Sequence, residues 1–353
     1  MSMDTQNTDI CGRTDIRSRV DEAFAGFIGN TPAVYSIKRS LRVALSHTPP
    51  RMDRVFLFVG GPSLGKTTMA KRTATALGLP FLHLDGTAIK SREQLFDALE
   101  DLLIDSDLPV KKAGTRSGMP MVEYPPCAVF IDEVHTLGVS VQNALLTALE
   151  ANDKSVILAR AGVRRVALVG NVLFMFATTK QGSLDDAFRS RCTEILLTSY
   201  SQSEIEEMVR IKHADLPAEA VPLVAKASRL VPRRAFMLAR DVAEEIADTG
   251  QTVDDCFARV MFGLGIVSRN GLTHDDLAYL AVLVKERRPV GERVIIASLE
   301  GIESERVRDE IEPLLKRFGY IALAKDGRVI TPDGMDAYNR IKARLEELPL
   351  MVR

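Results

Sequence analysis

The sequence predicts a chain of the α/β class: a parallel sheet wrapped by helices, continued by an all-helical stretch and closed by a winged helix. Three observations predict it. Short apolar runs (Val55–Val59, Ala128–Ile131, Val172–Phe176) lack the alternation of a half-buried strand and read as strands buried on both faces. Helix-period segments fall between them, and strands alternating with helices imply a parallel sheet. After Tyr200 the strand signals stop, until three helical segments and a short hairpin form a winged-helix pattern at the end.

Taken in order, residues 1–15 are polar, lack the apolar core of a signal peptide and are expected to be a poorly ordered leader. Apolar spacing becomes helical from Ile16, and Phe27-Ile28-Gly29 follows. A helix is expected over Pro32–Ser46, with Val34, Ile37, Leu41 and Leu45 on one face and Thr48-Pro49-Pro50 as its breaker. Strand Val55–Val59, helix Lys66–Leu77, strand Phe81–Leu84 and helix Ser91–Leu103 come next. Residues 106–126 hold most of the turn formers of this half and read as a long exposed loop. Beyond strand Ala128–Ile131 and helix Val141–Leu149, the alternating segments Val156–Ala159 and Val163–Val169 flank Ala161-Gly162 and suggest a hairpin. Strands Val172–Phe176 and Glu194–Leu197 complete the sheet. Helices are then expected over Ser203–Lys212, Ala218–Leu230, Arg233–Thr249 and Val253–Leu264. Punctuation at Ser268–Gly271 marks a boundary, followed by helices near Thr273–Glu286, Val290–Leu299 and Glu303–Phe318 and strands Tyr320–Ala324 and Arg328–Thr331. The expected organisation is a leader (1–15), an α/β core (16–198), a helical domain (199–267), a winged helix (268–345) and a tail (346–353).

A length of 353 residues is a prior for two or three domains, and a 46% hydrophobic content allows sizeable cores. The net charge of -1 excludes a globally basic nucleic-acid binder, so any basic surface is local. The four cysteines (Cys11, Cys127, Cys192, Cys256) stand far apart, which favours reduced thiols in a cytoplasmic protein over disulfides or zinc. No apolar run reaches the length of a membrane span.

The strongest chemical signal is Gly60-Gly61-Pro62-Ser63-Leu64-Gly65-Lys66-Thr67, followed by Thr68. It fits G-x-x-x-x-G-K-[ST] between an expected strand and an expected helix, the context this phosphate-binding loop requires. Glycines let backbone N–H groups curl toward phosphate oxygens, and the helix N-terminus adds its positive end. Lys66 would reach the β- and γ-phosphates of ATP, and Thr67 would hold Mg²⁺. Alone, such a run could also be a glycine-rich turn.

Asp132-Glu133 ends a buried strand, which places two carboxylates at the carboxyl edge of the sheet. Alone, the pair reads equally well as an acidic helix cap. Beside a phosphate-binding loop, Asp132 is expected to bind Mg²⁺ and Glu133 to act as general base toward water. Thr178-Thr179 follows the strand Val172–Phe176 and could place a hydroxyl near the γ-phosphate, a weak signal by itself. From the residues alone Arg189, Arg191 and Arg233 read better as surface ion pairs than as contacts with nucleotide, which for the first two could lie across a subunit boundary. His135 has no partner at metal-ligand spacing.

In this order, GGPSLGKTTMA, FIDEVH, FATT, FRSRC and VPRRAF resemble the AAA+ ATPases. Within them the chain is most similar to the RuvB family, hexameric motors of bacterial Holliday-junction branch migration. The likeness runs from Phe27-Ile28-Gly29 to near Ile341, and the tail resembles that family's winged helix at the PVG and EPLL segments. The resemblance implies Thr179 as sensor 1, Arg233 as sensor 2, Arg191 as arginine finger with Arg189 as alternate, and Phe27-Ile28 lining the adenine pocket. It also implies a hexameric ring, DNA contacts through the winged helix, and a protein partner docked on the hairpin 156–169; in a protein-remodelling ATPase the winged helix and the 106–126 loop would bind the protein partner instead. Three departures stand out: the 106–126 insertion, Asn30 in place of the family Gln, and a wing reading Leu323-Ala324-Lys325-Asp326-Gly327-Arg328 where the family has an arginine-rich stretch. Fewer phosphate contacts mean weaker DNA binding. A DNA translocase is therefore weighed against a protein-remodelling ATPase and a clamp-loader-like switch. The surviving basic residues near the wing (Arg287, Arg288, Arg293, Arg306, Arg308, Lys316, Arg317, Lys325, Arg328) either contact phosphate or form a solvated mixed-charge face.

Overall fold

The computed structural model describes residues 17–47, 54–150, 154–160 and 163–347, so the leader, the Thr48-Pro49-Pro50 breaker, the Ala161-Gly162 turn and residues 348–353 lie outside it. The chain divides into two compact units, Met1–Ser199 and Tyr200–Arg353.

In the first unit the strands are β1 (Phe56–Val59), β2 (Phe81–Asp85), β3 (Lys111–Arg116), β4 (Met119–Glu123), β5 (Cys127–Asp132), β6 (Ser155–Arg160), β7 (Val163–Leu168), β8 (Val172–Thr178) and β9 (Thr193–Leu196). Five of them form a parallel sheet in the order β2-β5-β8-β1-β9. Every residue of β1 and β8 is buried, as their unbroken apolar runs require. Helices Thr31–Leu45, Lys66–Leu77, Arg92–Asp105 and Val139–Glu150 connect or flank these strands. A single core joins Leu57, Val129, Ile131, Phe174 and Phe176 to Leu99, Leu145 and Phe188.

The expected long loop at 106–126 is instead a hairpin. Strands β3 and β4 pair antiparallel across Ser117-Gly118, both with positive φ, the geometry of a tight two-residue hairpin turn. β4 then pairs in parallel with β7, and β6 with β7 antiparallel, giving a second sheet of order β3-β4-β7-β6. The sequence concealed β3 because five of its six residues are exposed, leaving no apolar alternation to read. Buried Glu100 anchors this sheet to helix Arg92–Asp105: it accepts from the Tyr124 hydroxyl at 2.7 Å and pairs with Arg165 of β7.

In the second unit, helices Gln202–Lys212, Ala220–Ala227, Pro232–Thr249 and Val253–Gly263 precede the winged-helix segment. The latter contains helices His274–Glu286 and Glu292–Ser298, a composite helix (Ser304–Arg306, Val307–Ile311, Glu312–Arg317), strands β10 (Ile321–Ala324) and β11 (Gly327–Ile330), and helix Pro332–Glu347. The middle piece of the composite helix is a π turn just ahead of Pro313, which has no N–H to give to the preceding turn. The wing is pinned at its base, where Val290 and Arg328 exchange two backbone hydrogen bonds of 2.9 Å. A Cβ on Gly327 would lie 2.3 Å from the Val290 carbonyl oxygen, so only glycine fits. Helix Pro332–Glu347 is an element beyond the expected three helices and hairpin; it buries Ala337 and Ile341, the latter in the winged-helix core.

Candidate active site

Because the main sheet is parallel, the carboxyl ends of β5, β8 and β1 open on one edge, in adjacent positions. Asp132 ends β5 and Glu133 follows it, Thr178 ends β8 and Thr179 follows it, and Gly60–Thr67 follows β1. Three chain segments far apart in sequence thus converge where ligands bind in open α/β sheets.

The loop Gly60–Gly65 curls through left-handed conformations at Ser63 (φ 60°) and Gly65 (φ 91°) and enters helix Lys66–Leu77. A Cβ on Gly60 would lie 2.8 Å from the Leu197 carbonyl oxygen, so the chain just past β9 crowds the loop from behind. Pro62 is exposed, Leu64 buried, Thr67 half-buried and Thr68 exposed. Buried Lys66 donates to the carbonyls of Gly60 and Gly61, both at 2.9 Å. Burial pulls its ammonium below the ordinary lysine range, while the Glu133 and Asp132 carboxylates push it back up. A buried ammonium at a helix start, backed by a glycine loop, fits a polyphosphate. The Thr67 hydroxyl and the Asp132 carboxylate are hard oxygen donors of the kind Mg²⁺ prefers.

Glu133 has φ 47° and ψ 47°, a left-handed conformation uncommon for glutamate. Its amide donates to Asp132 Oδ1 at 2.9 Å. Its Oε2 accepts from the Thr179 amide (3.2 Å) and hydroxyl (2.9 Å) and lies 3.2 Å from His135 Nδ1. His135 Nδ1 is also 3.0 Å from Thr178 Oγ1. Spacing alone marks His135 only as a histidine without metal-ligand partners; here it braces the acid against β8. Gly86 is a second residue that motif reading misses. A Cβ there would fall 2.7 Å from the Asp132 carbonyl oxygen and 2.9 Å from that of Glu133. Its only sequence signal is an Asp-Gly pair after a strand. Gly86→Ala is expected to push the acid pair off its position and cut ATP hydrolysis roughly 10²-fold, on the scale at which an ångström-sized misplacement costs rate. Steady-state kcat for this variant, with thermal unfolding as the folding control, checks it; an unchanged kcat would show that the backbone can yield there.

Phe27 and Ile28 are half-buried, and the Arg72 guanidinium stacks 5.6 Å from the Phe27 ring centre while donating to the Ala23 and Ala25 carbonyls. This secures the 23–28 segment to the helix that begins at Lys66. Asn30, buried, accepts from the Thr198 amide at 2.7 Å and donates to its carbonyl at 3.3 Å, fastening the start of helix Thr31–Leu45 beside β9. The candidate finger arginines differ. Arg189 is engaged within its own chain by Glu194 at 3.1 Å, whereas Arg191 is exposed at the end of helix Asp186–Ser190 and donates to the Ala187 carbonyl. Arg233 is exposed in the first turn of helix Pro232–Thr249, in the second unit. Burial pushes the Cys127 and Cys192 thiols up to about 12, so neither is a reactive thiolate at neutral pH.

The wing's one arginine is engaged internally. Arg328 contacts Glu312 at 2.7 Å and Glu292 at 2.9 Å, and Glu312 is buried and also bonded to the Tyr279 hydroxyl and Lys316. Arg288, Arg306 and Arg308 likewise have acidic partners, and Arg317 donates to the Arg229 carbonyl. Most of the basic residues near the wing therefore form a neutralised mixed-charge face.

Residues 56–200 match the model of the ATPase family associated with various cellular activities (AAA), and residues 269–339 match the RuvB C-terminal winged helix domain. The chain is 28% identical over 311 residues to the Holliday junction branch migration complex subunit RuvB of Phytoplasma mali (strain AT), covering 84% of this chain and 86% of the relative. It is also 28% identical over 324 residues to the protein of that name from Thermosipho melanesiensis, covering 88% and 95%. Among solved structures, the Thermotoga maritima RuvB Holliday junction branch migration motor superposes with a TM-score of 0.67 at 24% identity, over 90% of this chain and 95% of that one, a likeness of fold. With a phosphate-loop motif, an acid pair and Thr178-Thr179 on one sheet edge, this chain carries an AAA ATPase domain, of a type that uses ATP and Mg²⁺, followed by a winged-helix domain of RuvB type.

Proposed function

We propose that this chain is the subunit of a cytoplasmic hexameric ring motor that couples ATP hydrolysis to movement of duplex or branched DNA. The observation that carries the proposal is the joining of an AAA ATPase domain, with Glu133 held by Thr179 at the sheet edge, to a RuvB-type winged helix in one chain. No helix among the described residues is long and apolar enough to cross a membrane. In domain terms we assign the ATPase core to residues 16–198, a helical lid to 199–267 and the winged helix to 268–345.

In this mechanism Lys66 leaves the Gly60 and Gly61 carbonyls and donates to the β- and γ-phosphates, cradled by the amides of residues 60–68. Thr67 and Asp132 hold Mg²⁺, which supplies charge neutralisation to the phosphate oxygens when bound. Glu133 takes the proton of the attacking water, and Thr179 holds its carboxylate in place. Phe27 and Ile28 line the adenine pocket. Arg191, exposed, reaches the neighbouring subunit's γ-phosphate, and Arg233 reports nucleotide state to the lid. Arg189 is the poorer finger because Glu194 already occupies it. The sheet β3-β4-β7-β6, with half-exposed Ile157 on β6, is a docking platform for a protein partner.

A protein-remodelling ATPase is the second reading, favoured by the internal neutralisation of Arg328. ATPase rates with and without duplex, forked and four-way DNA separate the two. Under the DNA-motor reading, DNA raises the rate several-fold and the effect fades between about 50 and 200 mM salt as counterion release demands. No response to any DNA at low salt would transfer the proposal to a protein substrate.

A further inference from the structure

With the wing arginine tied up within the fold, cations outside the wing become candidates for contact with DNA in the second unit. A cleft of about 310 Å³ lies in that unit where helix Ala220–Ala227, the 267–272 segment and helix Pro332–Glu347 meet. Four cations line it: Lys226, Arg269, Arg340 and Arg344. Among the described residues, no acidic side chain lines it. Arg269 pairs with Asp254 at 2.9 Å, outside the cleft lining. Lys226, Arg340 and Arg344 are exposed and form no ion pair with a carboxylate among the described residues; Arg340 bonds to the Asp336 backbone carbonyl. This sets them apart from Arg288, Arg306, Arg308, Lys316 and Arg328, each of which has an acidic partner.

The arrangement suits a chain of phosphates better than a lone anion. Arg340 and Arg344 are four residues apart on one helix face, stepped by about 6 Å along its axis. Asn270 and the Tyr320 hydroxyl, hydrogen-bonded to each other at 3.2 Å, add neutral polar groups of the kind that contact phosphate and sugar oxygens. Three uncompensated cations around one concave surface cost electrostatic energy in the free protein, and a polyanion relieves it.

We infer that this cleft is a binding site for the nucleic-acid backbone, taking successive phosphates of a DNA strand on Arg340, Arg344 and Lys226 in place of a cationic wing. The inference rests on the DNA-motor reading. Binding of this kind is independent of sequence and sets affinity and salt dependence.

The test is fluorescence anisotropy of a labelled duplex and a labelled four-way junction with the full chain, titrated at several salt concentrations. The double variant Arg340→Glu/Arg344→Glu is expected to bind at least about 10-fold more weakly at moderate salt. The neutral pair Arg340→Gln/Arg344→Gln is expected to lower the salt slope by about 2, one for each phosphate that is no longer neutralised. Unfolding midpoints of both variants, compared with the parent, exclude collapse of helix Pro332–Glu347 as the cause. If the parent binds DNA and both variants keep its affinity and slope, the cleft is not the site, and the DNA-motor reading stands without it. If the parent binds neither DNA at low salt, that reading fails and takes the cleft with it.

Discussion

Glu133→Gln is expected to leave ATP binding intact and to lower the hydrolysis rate by roughly 10²–10⁴-fold, the usual contribution of a positioned general base. Glutamine keeps the shape of the side chain. Its carbonyl oxygen can still accept from the Thr179 amide and hydroxyl, which now bind Glu133 Oε2 at 3.2 and 2.9 Å. What it cannot do is take a proton from water. The acid also opposes the effect of burial on the Lys66 ammonium, but Asp132 acts in the same direction and remains in the variant. Nucleotide affinity therefore changes little. Fluorescent-nucleotide binding and a single-turnover hydrolysis assay, run on the same preparation, separate the two effects. Hydrolysis at the parent rate would mean that another group activates the water. Loss of binding together with hydrolysis would mean that Glu133 holds the loop rather than working on water.

The second large effect is expected far from that edge in sequence, in the second unit. Arg229 is buried; its Nε donates to the Gly271 carbonyl at 2.7 Å, and its guanidinium pairs with the fully buried Asp276. Burial holds its guanidinium below the ordinary arginine range, opposed first by the Asp276 carboxylate. Arg229 and Leu230 both have φ of 60°, which is costly for residues with a Cβ, by about 1–3 kcal/mol each. Across the contact, a Cβ on Gly271 would lie 2.2 Å from the Ala227 carbonyl oxygen. The helical segment and the winged helix are thus held closely against each other within one unit. Arg229→Met removes the countercharge and leaves Asp276 in the interior, where its Oδ1 already has no hydrogen-bond partner. The expected loss is about 3–5 kcal/mol, the cost of orphaning one member of a buried pair. Urea unfolding followed in this unit measures it. The double variant Arg229→Met/Asp276→Asn is expected to recover part of the loss, because asparagine needs no countercharge and its carbonyl oxygen still accepts from the Thr273 amide and hydroxyl, which now bind Asp276 Oδ2 at 2.7 and 2.9 Å. A loss under about 1 kcal/mol in the single variant would show that water reaches Asp276 and that the clamp is not a dry pair.

Local sequence determined the main sheet and the identity of the nucleotide loop. Val55–Val59, Ala128–Ile131 and Val172–Phe176 are unbroken apolar runs, and a strand with both faces buried has no other way to read. Glycine spacing in Gly60–Gly65 is likewise a local demand, because the curl needs left-handed backbone at fixed positions. The β3–β4 hairpin was not legible, since its exposed strand carries lysine, threonine and arginine and is held through β4, which pairs with β7 from a distant segment. Nor were the roles of His135, Gly86 and Arg328 legible. Each depends on a neighbour supplied by another strand or helix: Thr178 across the sheet for His135, the Asp132 and Glu133 carbonyls against Gly86, and Glu292 and Glu312 around Arg328. Sequence determines which residues can do chemistry and which backbone they need; only tertiary structure decides which charges meet, and so which arginines are neutralised within the fold and which are left for a ligand.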